Sequence, residues 1–147
     1  MQTNKLRSYL FVIVQFACLI YIALTGPLLA TQPLPLVLEV GALVFGLWTL
    51  WTMRASRFHI LPDVLSGAQL VQHGPYRFVR HPMYLTLLWG ALALVLNAMT
   101  PLRWLIWLIL LVDLVLKLNY EEKLLIARFP DYATYQRQSH RLIPFIF

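Results

Sequence analysis

The stretch YLFVIVQFACLIYIALTGPLLATQPLPLVLEVGALVFGLWTLWTM, residues 9–53, contains one charged side chain, Glu39. A bilayer's hydrocarbon core asks for about 20 consecutive apolar residues per helix. Pro33 and Pro35 divide the stretch into two such runs, from about Tyr9 to Ala30 and from about Leu34 to Met53. Later in the chain come two more, from about Pro82 to Met99 and from about Leu102 to Leu118, parted by Asn97, Thr100 and Pro101. Pro82 suits the first turn of its helix, where a missing N–H costs nothing. The expected fold class is an all-α integral membrane protein: four transmembrane helices in two tight hairpins, a cytoplasmic cofactor pocket and a C-terminal interfacial helix.

Composition agrees with that class. The chain has 147 residues, room for one domain, and is 60% hydrophobic and 12% charged with a mean hydropathy of +0.68. That leaves too little polar surface to coat a soluble globule. Twelve Lys and Arg against six Asp and Glu give a net charge of +6, and their placement explains the excess. Lys5 and Arg7 precede the first helix; Arg54, Arg57, Arg77 and Arg80 separate the second from the third; Lys117, Lys123, Arg128, Arg137 and Arg141 lie at or beyond the end of the fourth. Only Arg103 falls on the opposite side, so the positive-inside rule predicts that both termini are cytoplasmic. Topology accounts for the charge, and the expected partner is the lipid bilayer, not nucleic acid.

The first apolar run exceeds the usual h-region of a secretory signal, about 7 to 15 residues, and reads as a retained helix. Cys18 lies within it and is the sole cysteine, so a buried apolar role is expected. His59, His73, His81 and His140 are too scattered to suggest a metal site.

Within the single domain, 1–147, the halves differ in kind. Residues 1–53 form an N-terminal hydrophobic hairpin, whereas 54–147 hold nearly all the polar chemistry and read as the catalytic core. Arg77, Arg80 and His81 crowd the entrance to the third helix beside Tyr76 and Tyr84, a cluster able to hold an anionic or carboxylate group; the two arginines and two tyrosines would equally serve as headgroup anchors. Asp113, Lys117 and Glu121 are spaced i, i+4, i+8 and share one helix face, with Glu122 adjoining. Ionisable groups at such depth usually face a cavity or each other. In the tail, Phe129, Tyr132 and Tyr135 can share one face of an interfacial helix, with Arg128, Arg137 and Arg141 towards headgroups.

The string LVQHGPYRFVRHPMY, followed after a hydrophobic hairpin by NYEEKLLIARFPDYATYQRQSHRLIP, resembles the isoprenylcysteine carboxyl methyltransferase family and its relatives among the membrane phospholipid methyltransferases. The resemblance covers Arg54 to Pro144, and its specific feature is RHPMY paired with a downstream EE across one helical hairpin. It implies an S-adenosyl-L-methionine-dependent methyltransferase. Carried over by position, the cofactor contacts fall on Gln69, Leu70 and Val71, on Tyr76, on His81, Pro82, Met83 and Tyr84, and on Glu121. A cationic residue one turn before that glutamate is associated with the lipid substrate, and here it is Lys117, where family members often have arginine. The family usually has glycine where this chain has Thr86 and Pro130.

Methyl transfer from a sulfonium is an in-line displacement, so the protein has mainly to align the partners and exclude water. A carboxylate nucleophile, the expected acceptor, needs no base; an amine would need Glu121 or Glu122 to take a proton. Arg80, Glu121 and Glu122 are the candidate catalytic residues, and the expected acceptor is a lipophilic small molecule or a prenylated group. Alternatives are an NADPH-dependent membrane sterol-type reductase, which shares a related histidine, proline and tyrosine motif, and a non-enzymatic membrane scaffold or transporter.

Overall fold

The computed structural model describes residues 5–54 and 71–143. Among them the architecture is all-helical: α1 (Lys5–Leu24), α2 (Pro33–Met53), a single 3-10 turn (Gly74–Arg77), α3 (Pro82–Asn97), α4 (Pro101–Arg128) and α5 (Tyr132–Gln138). Of the cofactor positions carried over above, Gln69 and Leu70 lie outside the described residues, as do Arg57 and His59, and Val71 has no regular structure.

Helix α1 ends six residues before the expected Ala30. The sequence explains this: Gly26 is a poor helix former, and Pro27 disfavours helical geometry in the residue before it. Prolines open α2, α3 and α4 at their first turns, and the Thr100 hydroxyl caps α4 by accepting from Arg103 N at 3.2 Å.

Helices α1 and α2 are each long and apolar enough to cross a membrane. Helix α3 is apolar but has 16 residues, a rise of about 24 Å. Helix α4 has 28 residues, a rise of about 42 Å, and Asp113 and Lys117 interrupt its apolar run. The run and the acidic pair beyond it thus share one continuous element.

Helix α1 packs on α4, α2 on α3, and α3 on α4. The buried stripe of α1 is Ser8, Phe11, Gln15, Cys18 and Ile22, alternating three and four residues as in coiled-coil packing. Its other faces leave Ile13, Phe16 and Ile20 exposed, as expected where lipid replaces water. Helix α2 buries small residues, among them Ala42, Gly46 and Thr49, which allow close helix approach. Cys18, Ile22, Leu88, Ala91, Val95, Leu110 and Leu114 join in the shared core.

Arg103 is 1% exposed. It donates to the Ile22 carbonyl and Thr25 Oγ1, both at 2.9 Å, and to the Leu94 carbonyl at 2.6 Å. A cation here meets the negative ends of α1 and α3. The connection to α2 is tied by Glu39 Oε2, which accepts from Ala30 N at 2.8 Å, and by Asn97 Oδ1, which accepts from Thr31 N at 2.9 Å.

Candidate functional site

At the opposite end from Arg103, the segment between α2 and α3 meets the tail. Gly74 takes a φ of +61°, which glycine adopts without steric cost. A Cβ there would also lie 2.6 Å from Thr52 Oγ1 at the end of α2. The chain then runs beside the tail in a short parallel pairing. Arg80 N donates to the His140 carbonyl at 2.7 Å, His81 N to the Arg141 carbonyl at 3.1 Å, and His140 N to the Phe78 carbonyl at 3.0 Å. The backbone on either side of the Arg80–His81 motif is therefore fixed by the C-terminal segment.

Helix α5 is part of the packed structure. Tyr132 and Tyr135 are buried, and the Tyr135 hydroxyl donates to the Tyr76 carbonyl at 2.5 Å. Burial lifts the Tyr135 hydroxyl to about 12, against the opposing Arg80 charge, so it remains a donor at neutral pH. The Tyr76 hydroxyl contacts Met53 Sδ at 2.5 Å. Arg128 and Arg137 stay exposed, as does Arg77, which lies over the Phe78 ring and is not in the cluster.

Arg80, His81, Glu121 and Glu122 do come together. Arg80 Nε lies 2.7 Å from Glu122 Oε1. The same guanidinium donates to the carbonyl of Gln136 at 3.1 Å and to that of Ser139. Arg141 Nε approaches Glu122 Oε2 at 3.3 Å, and Gln136 Nε2 lies at 3.4 Å from the same oxygen. Burial alone would raise the Glu122 carboxyl. The neighbouring His81, 3.5 Å away, and Arg80, through its hydrogen bond and its charge, instead hold it at about 2. So low a value makes Glu122 a weak base and a strong anchor for what surrounds it.

Glu121 is more open, its side chain 19% exposed against 4% for Glu122. The Tyr84 hydroxyl donates to Glu121 Oε1 at 2.5 Å, and His81 Nδ1 lies 3.6 Å from Oε2. The His81 and Tyr84 rings stack with centroids 5.5 Å apart, as helix neighbours three residues apart can. His81 Nε2 is buried without a hydrogen-bond partner among the described residues, 3.5 Å from Glu122 Oε1. Pro82 is buried and Met83 is half-buried.

One turn deeper on α4, Lys117 is 1% exposed. Its Nζ donates to Gln15 Oε1 of α1 at 2.8 Å and sits 5.1 Å from the centre of the Tyr84 ring. Asp113, a further turn down, has one carboxylate oxygen buried with no hydrogen-bond partner among the described residues. A cavity of about 340 Å³ opens beside the 3-10 turn, lined by Gln72, Arg77, Phe78, Tyr135 and Gln138. Arg77, expected from sequence in the anion-holding cluster, lines it, but none of the candidate catalytic, cofactor or acceptor residues does.

Sequence reasoning did not anticipate Gln15, Gln136, Ser139 or the inward turn of Arg141. Gln15 is a neutral residue with no motif around it, Gln136 and Ser139 are neutral residues within the tail string that no charge pattern singles out, and Arg141 read as one more headgroup charge.

Comparison with known families finds that the phospholipid methyltransferase family matches residues 32–131. No curated protein sequence matches the chain. The match takes in α2, the 3-10 turn, α3 and α4, and the chain belongs to this family.

Proposed function

We propose, taking membership of the phospholipid methyltransferase family as the premise, that the protein transfers a methyl group from S-adenosyl-L-methionine to a lipophilic acceptor dissolved in the bilayer. The observation that carries the reading is the Glu121–Tyr84–His81 arrangement at the junction of α3, α4 and the tail, with Lys117 one turn deeper. The donor set fits the cofactor. Glu121 is the open carboxylate, suited to the ammonium or hydroxyl groups of the cofactor, and His81 brings a buried ring nitrogen without a hydrogen-bond partner among the described residues. In this reading Val71, Tyr76, Pro82, Met83 and Tyr84 complete the contacts, with Gln69 and Leu70 from the segment before.

The bound cofactor supplies an electrophilic sulfonium methyl. The chain's own residues align and enclose. Arg80 and Glu122 fix the tail over the site, Tyr84 orients the Glu121 carboxylate, and the packed tyrosines of α5 exclude water. A carboxylate acceptor would react without a base. An amine acceptor would pass its proton to Glu121, the more accessible acid. Lys117 is suited to the polar head of an acceptor whose tail stays in lipid.

The membrane arrangement proposed with this function has four crossing helices and both termini cytoplasmic. It is supported by the two long apolar helices and by the basic residues gathered at the site's end.

Calorimetry of S-adenosylhomocysteine binding tests the reading. Glu121→Gln and His81→Ala should each weaken binding far more than they lower the melting temperature of the ligand-free protein. Unchanged affinity in both variants refutes the site. Thermal stabilisation by NADPH with none by S-adenosylhomocysteine would favour a reductase instead.

A further inference from the structure

Lys117 is held from α1, an element outside the family match at residues 32–131. The α1 stripe that faces α4 is apolar or small except at its centre, where Gln15 is 5% exposed. A buried polar residue in such a seam costs packing energy and is kept for register or for a function. Gln15 uses its amide oxygen on an ammonium, and that ammonium lies against the ring whose hydroxyl holds Glu121. Lys117 is thus one contact from the proposed reaction centre on one side. On the other side it is one contact from the lipid-facing helix that carries Ile13 and Phe16.

We infer that Gln15 is a positioning and specificity residue for the acceptor: its amide oxygen occupies, on Lys117, the place taken by an anionic group in the head of a membrane-dissolved amphiphile. This rests on the reading of Lys117 given above and adds α1 to it. The chemistry asks for an anion at the head, a carboxylate or a phosphodiester, since a neutral amide oxygen yields to an anion at an ammonium where two anions would compete. Glu121 and Asp113, one turn above and below Lys117 on α4, keep the cation from being lost to the hydrocarbon when the amide gives way.

Gln15→Glu places an internal anion at the contact and is the diagnostic variant. Binding of three probes to detergent-solubilised full-length protein is measured by equilibrium dialysis, with and without S-adenosylhomocysteine. The probes are N-acetyl-S-farnesylcysteine, short-chain phosphatidylethanolamine and farnesol; the first two separate a carboxylate from a phosphodiester source, and the third lacks the anion. Gln15→Glu is expected to weaken one or both anionic probes by about tenfold or more through like-charge exclusion, leaving farnesol and S-adenosylhomocysteine within about twofold. In a Lys117→Met background, adding Gln15→Glu should leave anionic-probe affinity unchanged, because the cation being contested is gone. Thermal melting with Gln15→Leu reports the register role separately, since a purely structural Gln15 would move melting temperature in both variants and probe affinity in neither. Equal anionic-probe affinity in Gln15→Glu and wild type overturns the inference, and so does binding of neither anionic probe. Failure to bind S-adenosylhomocysteine refutes the methyltransferase reading instead, while the probe arms still decide this one.

Discussion

Arg80 Nε and Glu122 Oε1 stand 2.7 Å apart with 6% and 4% of their side chains exposed, and the same guanidinium reaches two carbonyls near the end of α5. The pair therefore joins α4 to the tail, and loss of Arg80 leaves the buried Glu122 carboxylate only the longer contacts from Arg141, Gln136 and His81. Arg80→Leu should cost about 3–5 kcal/mol, the usual range when a buried pair loses one partner. Arg80→Lys should recover little, because lysine keeps the charge but lacks the fork that spans carboxylate and carbonyls. Denaturant unfolding in detergent gives the magnitude, and faster trypsin cleavage after Arg137 would show that the tail is what comes loose.

The same pair sets a pH dependence. Glu122 has its carboxyl lowered from an ordinary 4.5 to about 2 in the folded chain. A depressed folded-state value contributes stability that is fully present above the unfolded value and disappears as pH falls through the folded one. Stability should therefore decline between about pH 4.5 and about pH 2, and Glu122→Gln should flatten that part of the curve. Melting temperatures across this range check it; an equal slope in the variant would assign the acid sensitivity elsewhere.

The sequence made the helices legible because apolar runs and prolines are local signals. Helix α1 departs from that reading because its apolar run continues through Leu28 and Leu29 after Gly26 and Pro27 have already stopped the helix. In the site, the motif pairing pointed to His81, Glu121 and Glu122, which the fold does bring together. Two features lay beyond such reading. The pairing of Val79 with His140 joins remote segments with no alternating strand pattern in either. Gln15 is a single polar residue in an apolar helix, and only the packing of α1 on α4 gives it a partner.

The proposed topology puts the α1–α2 connection and the 3-10 turn on opposite sides of the membrane. In a Cys18→Ala background, a cysteine at Gln32 should react with an impermeant maleimide added to whole cells, and one at Arg77 should react only after permeabilisation. Both parent residues are exposed, so accessibility does not confound the comparison. The reverse pattern would invert the assignment of the cytoplasmic face.

Thr86 stands where the related methyltransferases usually have glycine, and the compensation lies on the facing helix. A Cβ built at Gly46 of α2 would lie 2.7 Å from Thr86 Cγ2, but 3.7 Å from Thr86 Oγ1 and 3.8 Å from its Cβ. The methyl of Thr86 thus fills the space that glycine leaves on α2, while its hydroxyl is used locally, donating to the Pro82 carbonyl at 2.9 Å. Gly46→Ala should overpack this contact and cost about 1–3 kcal/mol. Thr86→Ser removes the clashing methyl and retains the hydroxyl, so it should rescue most of that loss. In a double-mutant cycle the coupling energy should be favourable and at least about 0.5 kcal/mol. Because Thr86 lies one turn after Pro82, the clash should also reach the site, lowering S-adenosylhomocysteine affinity in Gly46→Ala and restoring it in the double variant. Additive effects on stability would show that α2 and α3 relax apart here, and that Gly46 is not what accommodates Thr86.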